Sequence, residues 1–126
     1  MTKNRVCYWE INAKDGPALV DFYTRLFDWE SRYDAATDFY DLDSGRASGG
    51  INGGIFTGKG DLPIHRCLYV EVEDMERVLQ KVREMGRTIL QGPFEVAGLG
   101  VLAFFRDPEE HMIGLIQRAA RGGKPD

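Results

Sequence analysis

Two carboxylates in this chain are placed to move a proton. Glu10 lies in "VCYWEIN" (residues 6–12) and Glu71 in "RCLYVEVED" (residues 66–74), each two residues beyond a tyrosine, Tyr8 and Tyr69. On an extended strand that spacing puts acid and phenol on one face. An enclosed carboxylate there is a usable general base, whereas a solvated one is an ordinary strand residue, and the residues alone leave both readings open. His65 and Cys67 are also two apart and share a face if the strand reaches that far. With Glu10 they would form a relocated soft-metal set. The plainer reading is a surface histidine at the strand entrance and a buried structural thiol, because no His or Lys is placed to activate Cys67. His111, in the turn "DPEEH" (107–111), reads as a rim or loop residue.

The elements that must position these residues follow from periodicity. Residues 6–12 alternate, with Cys7, Trp9 and Ile11 on one face and Tyr8, Glu10 and Asn12 on the other. In "KDGPALVDFYTRLFDW", Asp15 is an N-cap, Pro17 fits the first turn, and Leu19, Phe22, Tyr23 and Leu26 form an apolar stripe. Trp9, Phe22, Tyr23, Phe27 and Trp29 are expected to be core between sheet and helix. Short strands are expected at "WESRYD", "DFYDLD" and "GGINGGIF". The second half starts the same way. Leu68, Val70 and Val72 alternate with Cys67, Tyr69 and Glu71, and Asp74 then caps a helix striped by Met75, Val78, Leu79, Val82 and Met85 and ended by Gly86. Strands "TILQGPFEVAG", "GVLAFFRD" and "HMIGLIQR" complete the set.

Strand, helix and three strands thus occur twice, an internal repeat. One module spans about residues 5–57 and the other about 64–118, with 119–126 read as a flexible tail. Aligning Asp15 with Asp74 pairs Tyr8 with Cys67. Aligning "DSGRASGGI" (43–51) with "DPEEHMIGL" (107–115) pairs Gly50 with Gly114. The apolar strand faces should receive the two helices, leaving the polar faces to meet solvent or to line a shared concave cleft.

Composition narrows the function classes. The 126 residues form one domain, 43% hydrophobic and 29% charged, with 20 acidic and 16 basic side chains. Scattered Lys and Arg disfavour a nucleic-acid surface. No apolar run approaches a membrane span, and the N-terminus reads as no signal peptide, so a cytoplasmic protein with reduced Cys7 and Cys67 is expected.

The opening "YWEINAKDGPALVDFYTRLFDWE" and the closing "GLGVLAFFRDPEEHMIGLIQ" resemble the vicinal oxygen chelate superfamily of glyoxalase I, bleomycin-resistance proteins and extradiol dioxygenases. The resemblance implies an α+β fold: two βαβββ modules forming an open, curled mixed β-sheet barrel with the helices outside. In metal-dependent relatives the first and last strand of each module supply the ligands. Those positions map to Tyr8 and Cys67 and to Gly50 and Gly114. Glycine has no donor, and a phenol with a thiol does not make a hard octahedral site, so no metal or other cofactor is expected. The two glycines either leave room for an organic ligand or ease close sheet packing.

The expected function is therefore metal-independent binding of a small organic molecule. It would stack on Tyr8 and Tyr69 over Gly50, Cys67 and Gly114, with polar contacts from Glu10, Asn12 and Glu71. Such an acidic cleft favours a cationic ligand. The alternative is a lyase or isomerase using Glu10 or Glu71 as base, or a relocated metal. The resemblance also implies a homodimer. A third class, an interaction module without a ligand, would fill the cleft with its own side chains.

Overall fold

The computed structural model of the chain describes residues 3–58 and 65–119, so the expected tail lies outside the described residues but for Ala119. Two compact units emerge, residues 7–67 and residues 68–126 together with 1–6. The first carries β1 (Val6–Ala13), α1 (Gly16–Phe27), β2 (Glu30–Asp34), β3 (Phe39–Asp43) and β4 (Gly53–Thr57). The second carries most of β5 (His65–Glu71), then α2 (Met75–Glu84), β6 (Ile89–Val96), β7 (Gly100–Arg106) and β8 (Met112–Arg118). Both are βαβββ, as expected for the α+β class. Within the first unit the strand order is β2-β3-β4-β1, and within the second β6-β7-β8-β5. In each, the strand before the helix runs parallel to the last strand and the remaining pairs are antiparallel.

Both helices begin where their capping residues predict. The Asp15 carboxylate accepts the Ala18 N–H at 3.2 Å, and that of Asp74 accepts the Arg77 N–H at 3.2 Å. Gly86, at φ 83°, follows the end of α2, a left-handed conformation in which glycine carries no Cβ penalty. Helix α2 buries Met75, Leu79 and Val82. Met75 and Leu79 pack on Val72, Ala103 and Leu115, the apolar face of their sheet. Met85 falls past the helix end and is exposed, so the expected stripe is one residue too long.

Helix α1 departs further from its pattern. Its buried face is Gly16 and Val20, flanked by Leu19 and Tyr23, against Ala13, Leu42 and Ile55. Phe22 and Phe27 are each more than half exposed, which corrects their expected place in the core, and Leu26 of the apolar stripe is exposed with them. Gly16 supplies the reason. Its N–H donates to Thr57 Oγ1 at 2.9 Å, and a Cβ there would stand 2.8 Å from the same oxygen. The helix therefore seats its first turn on β4, and that contact sets its rotation.

The adjacent glycines Gly53 and Gly54 serve opposite faces of β4. A Cβ at Gly53 would lie 2.0 Å from the Trp9 ring, and one at Gly54 would lie 2.2 Å from Phe39. Trp9, seated on the helix side, also donates from Nε1 to Ser44 Oγ and to the Ile51 carbonyl, both at 2.9 Å, and packs on Trp29.

Candidate functional site

The polar face of β1 is enclosed. Glu10 is 8% exposed and Asn12 is fully buried. His65 Nε2 stands 4.0 Å from Glu10 Oε1, with both side chains about nine-tenths withdrawn from solvent. His65 is thus no surface residue. The start of β5 carries it into the first unit beside Glu10, a long-range contact that strand alternation cannot show. The Tyr8 hydroxyl donates to Asp41 Oδ1 at 3.3 Å, and Arg32 approaches the same carboxylate at 3.9 Å. Asp41 went unmarked in the sequence. Its signal is register, since it lies opposite Gly54, which lies opposite Glu10.

That register corrects one site residue. Counting five residues back from each helix cap reaches Glu10 and Tyr69, whose parallel neighbours are Gly54 and Gly114. The counterpart of Gly114 is therefore Gly54, not Gly50. Gly50 lies outside β4, in a tight turn after a short 3-10 segment at Arg46–Ser48, where its N–H donates to the Gly45 carbonyl at 2.7 Å. The first unit's loop is four residues longer than the DPEEH turn, and an ungapped alignment slips by that amount.

Neither glycine leaves an empty floor. A Cβ at Gly114 would meet the Tyr69 ring at 2.8–3.1 Å, and one at Gly54 would meet Phe39 and the Tyr8 hydroxyl. The rings occupy the space that the glycines provide, which is the close-packing alternative. Tyr69 is 5% exposed and sits edge-on against Phe104, so its ring is core and not a stacking platform. Cys67 is buried, as expected of a structural thiol.

Glu71 is committed elsewhere. Its Oε1 accepts from Arg5 Nε at 3.0 Å and from the same guanidinium's terminal nitrogen at 2.9 Å, with Arg118 at 3.8 Å from the other oxygen. Both of its oxygens therefore face guanidinium groups of its own unit. His111 is an exposed turn residue. The Asp107 carboxylate accepts its N–H and that of Glu109, both at 2.9 Å, and meets its Nδ1 at 3.1 Å. The His111 N–H, chief among these contacts, holds Asp107 below the usual carboxylate range.

An open groove of about 610 Å³ runs along the end of β1 and the start of α1. Ile11, Ala13, Ala18 and Leu19 form its apolar wall. Asn12 and His65, both largely buried, also line it, and Glu10, 4.0 Å from His65 Nε2, does not. Lys14, Asp15 and Arg66 supply its charge. The volume lies within the ordinary range of small-molecule sites.

The positions expected to hold the family metal do not fit one. Gly54 and Gly114 offer no side-chain donor, and Tyr8 and Tyr69 fill the space above them. Among the described residues no three His, Cys, Asp or Glu side chains converge on a point, so His65, Cys67 and Glu10 do not assemble the relocated set either. No helix among them is long and apolar enough to cross a membrane.

A twice-repeated βαβββ unit with this closing turn defines a glyoxalase-type fold. Residues 5–115 match the model of the Glyoxalase/Bleomycin resistance protein/Dioxygenase superfamily, and the chain belongs to that superfamily. It is 23% identical over 116 residues to the anthracycline biosynthesis proteins DnrV of Streptomyces peucetius and DauV of Streptomyces sp. (strain C5). Each match covers 80% of this chain and 42% of the relative, so the chain spans less than half the length of these curated relatives. Among solved structures, hypothetical protein BH1468 of Bacillus halodurans C-125 is similar at TM-score 0.71 and 14% identity, covering 98% of this chain and all of the other. Methylmalonyl-CoA epimerase of Streptomyces coelicolor, in complex with 2-nitronate-propionyl-CoA, is similar at TM-score 0.63 and 14% identity, covering 94% and 97%. At such identities the likeness is one of fold.

Proposed function

We propose that this chain is a metal-independent member of its superfamily that binds a small organic molecule in the groove at the end of β1. The observation that carries the reading is that two largely buried polar side chains, Asn12 and His65, line this groove beside an apolar wall. Apolar area supplies affinity there, and a few placed polar groups supply orientation. Metal independence is supported by the donor set, which has glycine at the last-strand positions where metal-dependent relatives carry ligands. The likeness to two anthracycline biosynthesis proteins supports an organic ligand without selecting one.

Native mass spectrometry of protein purified without chelator or added metal tests this. A retained organic mass that is lost in His65→Gln is the expected result. One tightly held divalent metal per chain would overturn the metal-independent reading.

A second reading, a lyase or isomerase, is favoured by the Glu10–His65 pair alone. His65 lines the groove and Glu10 stands 4.0 Å from its Nε2, which brings an imidazole and a carboxylate together as groups able to relay a proton. Exchange of a proton α to a carbonyl in D2O, followed by NMR and abolished by Glu10→Gln, would favour this reading over simple binding.

A further inference from the structure

We infer that the groove takes an organic acid, an apolar skeleton bearing a carboxylate or similarly acidic oxygen, held between Lys14 and Arg66. The inference rests on the binding reading above and names the charge of its ligand. Sequence alone suggests the opposite charge, because Glu10 and Glu71 share the polar strand faces. The structure removes both from the reckoning. Glu71 is held by Arg5 and Arg118, and Glu10, 4.0 Å from His65 Nε2, does not line the groove.

What remains at the rim is Lys14, Arg66 and Asp15. The Asp15 carboxylate caps α1 through one oxygen, and its charge offsets one of the two cations. The first N–H groups of that helix are spoken for as well, Gly16 by Thr57 and Ala18 by Asp15, so an incoming anion is met by side chains and not by the helix end. Among the described residues, neither Lys14 nor Arg66 forms an ion pair. Two cations that form no ion pair among the described residues, in a groove with an apolar wall, match an amphipathic monoanion, because the skeleton buries against Ile11, Ala13, Ala18 and Leu19 while the acid accepts from the guanidinium. Since the groove is open to water, screening keeps the charge contribution modest.

The test is a titration of the ¹⁵N-labelled full chain with 2-naphthoate and with its neutral isostere 2-naphthamide, read at the amides of residues 11–16, 18, 19, 65 and 66. The expected result is binding of the acid roughly tenfold tighter than the amide, a preference that shrinks with added salt. It should be lost in the exposed-site variant Lys14→Gln/Arg66→Gln and kept in Lys14→Arg/Arg66→Lys, with the rest of the spectrum unchanged in both. If acid and amide bind equally at these amides, the groove is a binding site and the charge inference falls alone. A preference that survives in the Gln variant overturns it equally. If neither probe shifts these amides, the groove reading and the inference fall together.

Discussion

Equivalent rows cross the strands of the two units and carry opposite chemistry. In the first unit the row is Glu10, Gly54, Asp41 and Arg32, and in the second it is Tyr69, Gly114, Phe104 and Gln91. Each has glycine on the last strand, with aromatic atoms filling the space where a Cβ would stand. Around that shared feature the first unit places ionisable groups, and the second places an aromatic pair that is almost fully buried. A duplicated scaffold can thus keep its backbone solution while one half packs and the other presents polar groups. The candidate site belongs to the half whose row is polar.

Substitutions at matching points of the two rows test this contrast. Phe104→Ala should cost about 4 kcal/mol in a denaturant titration, because a 2%-exposed ring leaves a cavity. Its counterpart Asp41→Ala should cost less than about 1 kcal/mol, since it loses an exposed ion pair and one long hydrogen bond. Similar losses at both would break the contrast.

Next in size, Gly54→Ala should destabilise by roughly 3 kcal/mol and Gly114→Ala by about 1 kcal/mol. The added methyl at Gly54 would press on Phe39 and Tyr8 together, whereas at Gly114 it meets one ring, at a looser distance. Unfolding midpoints in urea would order the two.

The carboxylates should separate by function. Glu10→Gln is expected to change retention of bound organic mass. Glu71→Gln should leave retention unchanged and cost about 1 kcal/mol or less, its partners being largely on the surface. A loss of retention in Glu71→Gln would return that residue to the site.

The smallest effect concerns pH. Because the folded state lowers the Asp107 pKa, the turn's contribution is complete above the unfolded value near 3.8 and is lost as pH falls through the folded value. The His111 amide shift should therefore titrate with a midpoint below 3.8. A midpoint above it would contradict the observed hydrogen bonds.

Much of the architecture was legible because its signals are local. Asp15 and Asp74 are caps identified by their position before a helical stripe, and the alternation of residues 6–12 and 67–72 shows correctly which strand faces meet the helices. The exposure of Phe22 and Phe27 was not legible, because periodicity defines a stripe but not its rotation, which here follows from Gly16 meeting Thr57. Nor was the fate of Glu71, since Arg5 lies 66 residues away along the chain.

The order of strands and helices, their caps, and the lack of side-chain donors at Gly114 and at the glycines of "GGINGG" follow from residue types at short spacing. Which of those glycines faces Glu10, where Glu71 finds its counter-charges, and that His65 meets Glu10 follow from strand register and loop length. Local backbone preference repeats every two or four residues and is blind to a four-residue loop extension, whereas strand pairing converts that extension into a different set of neighbours.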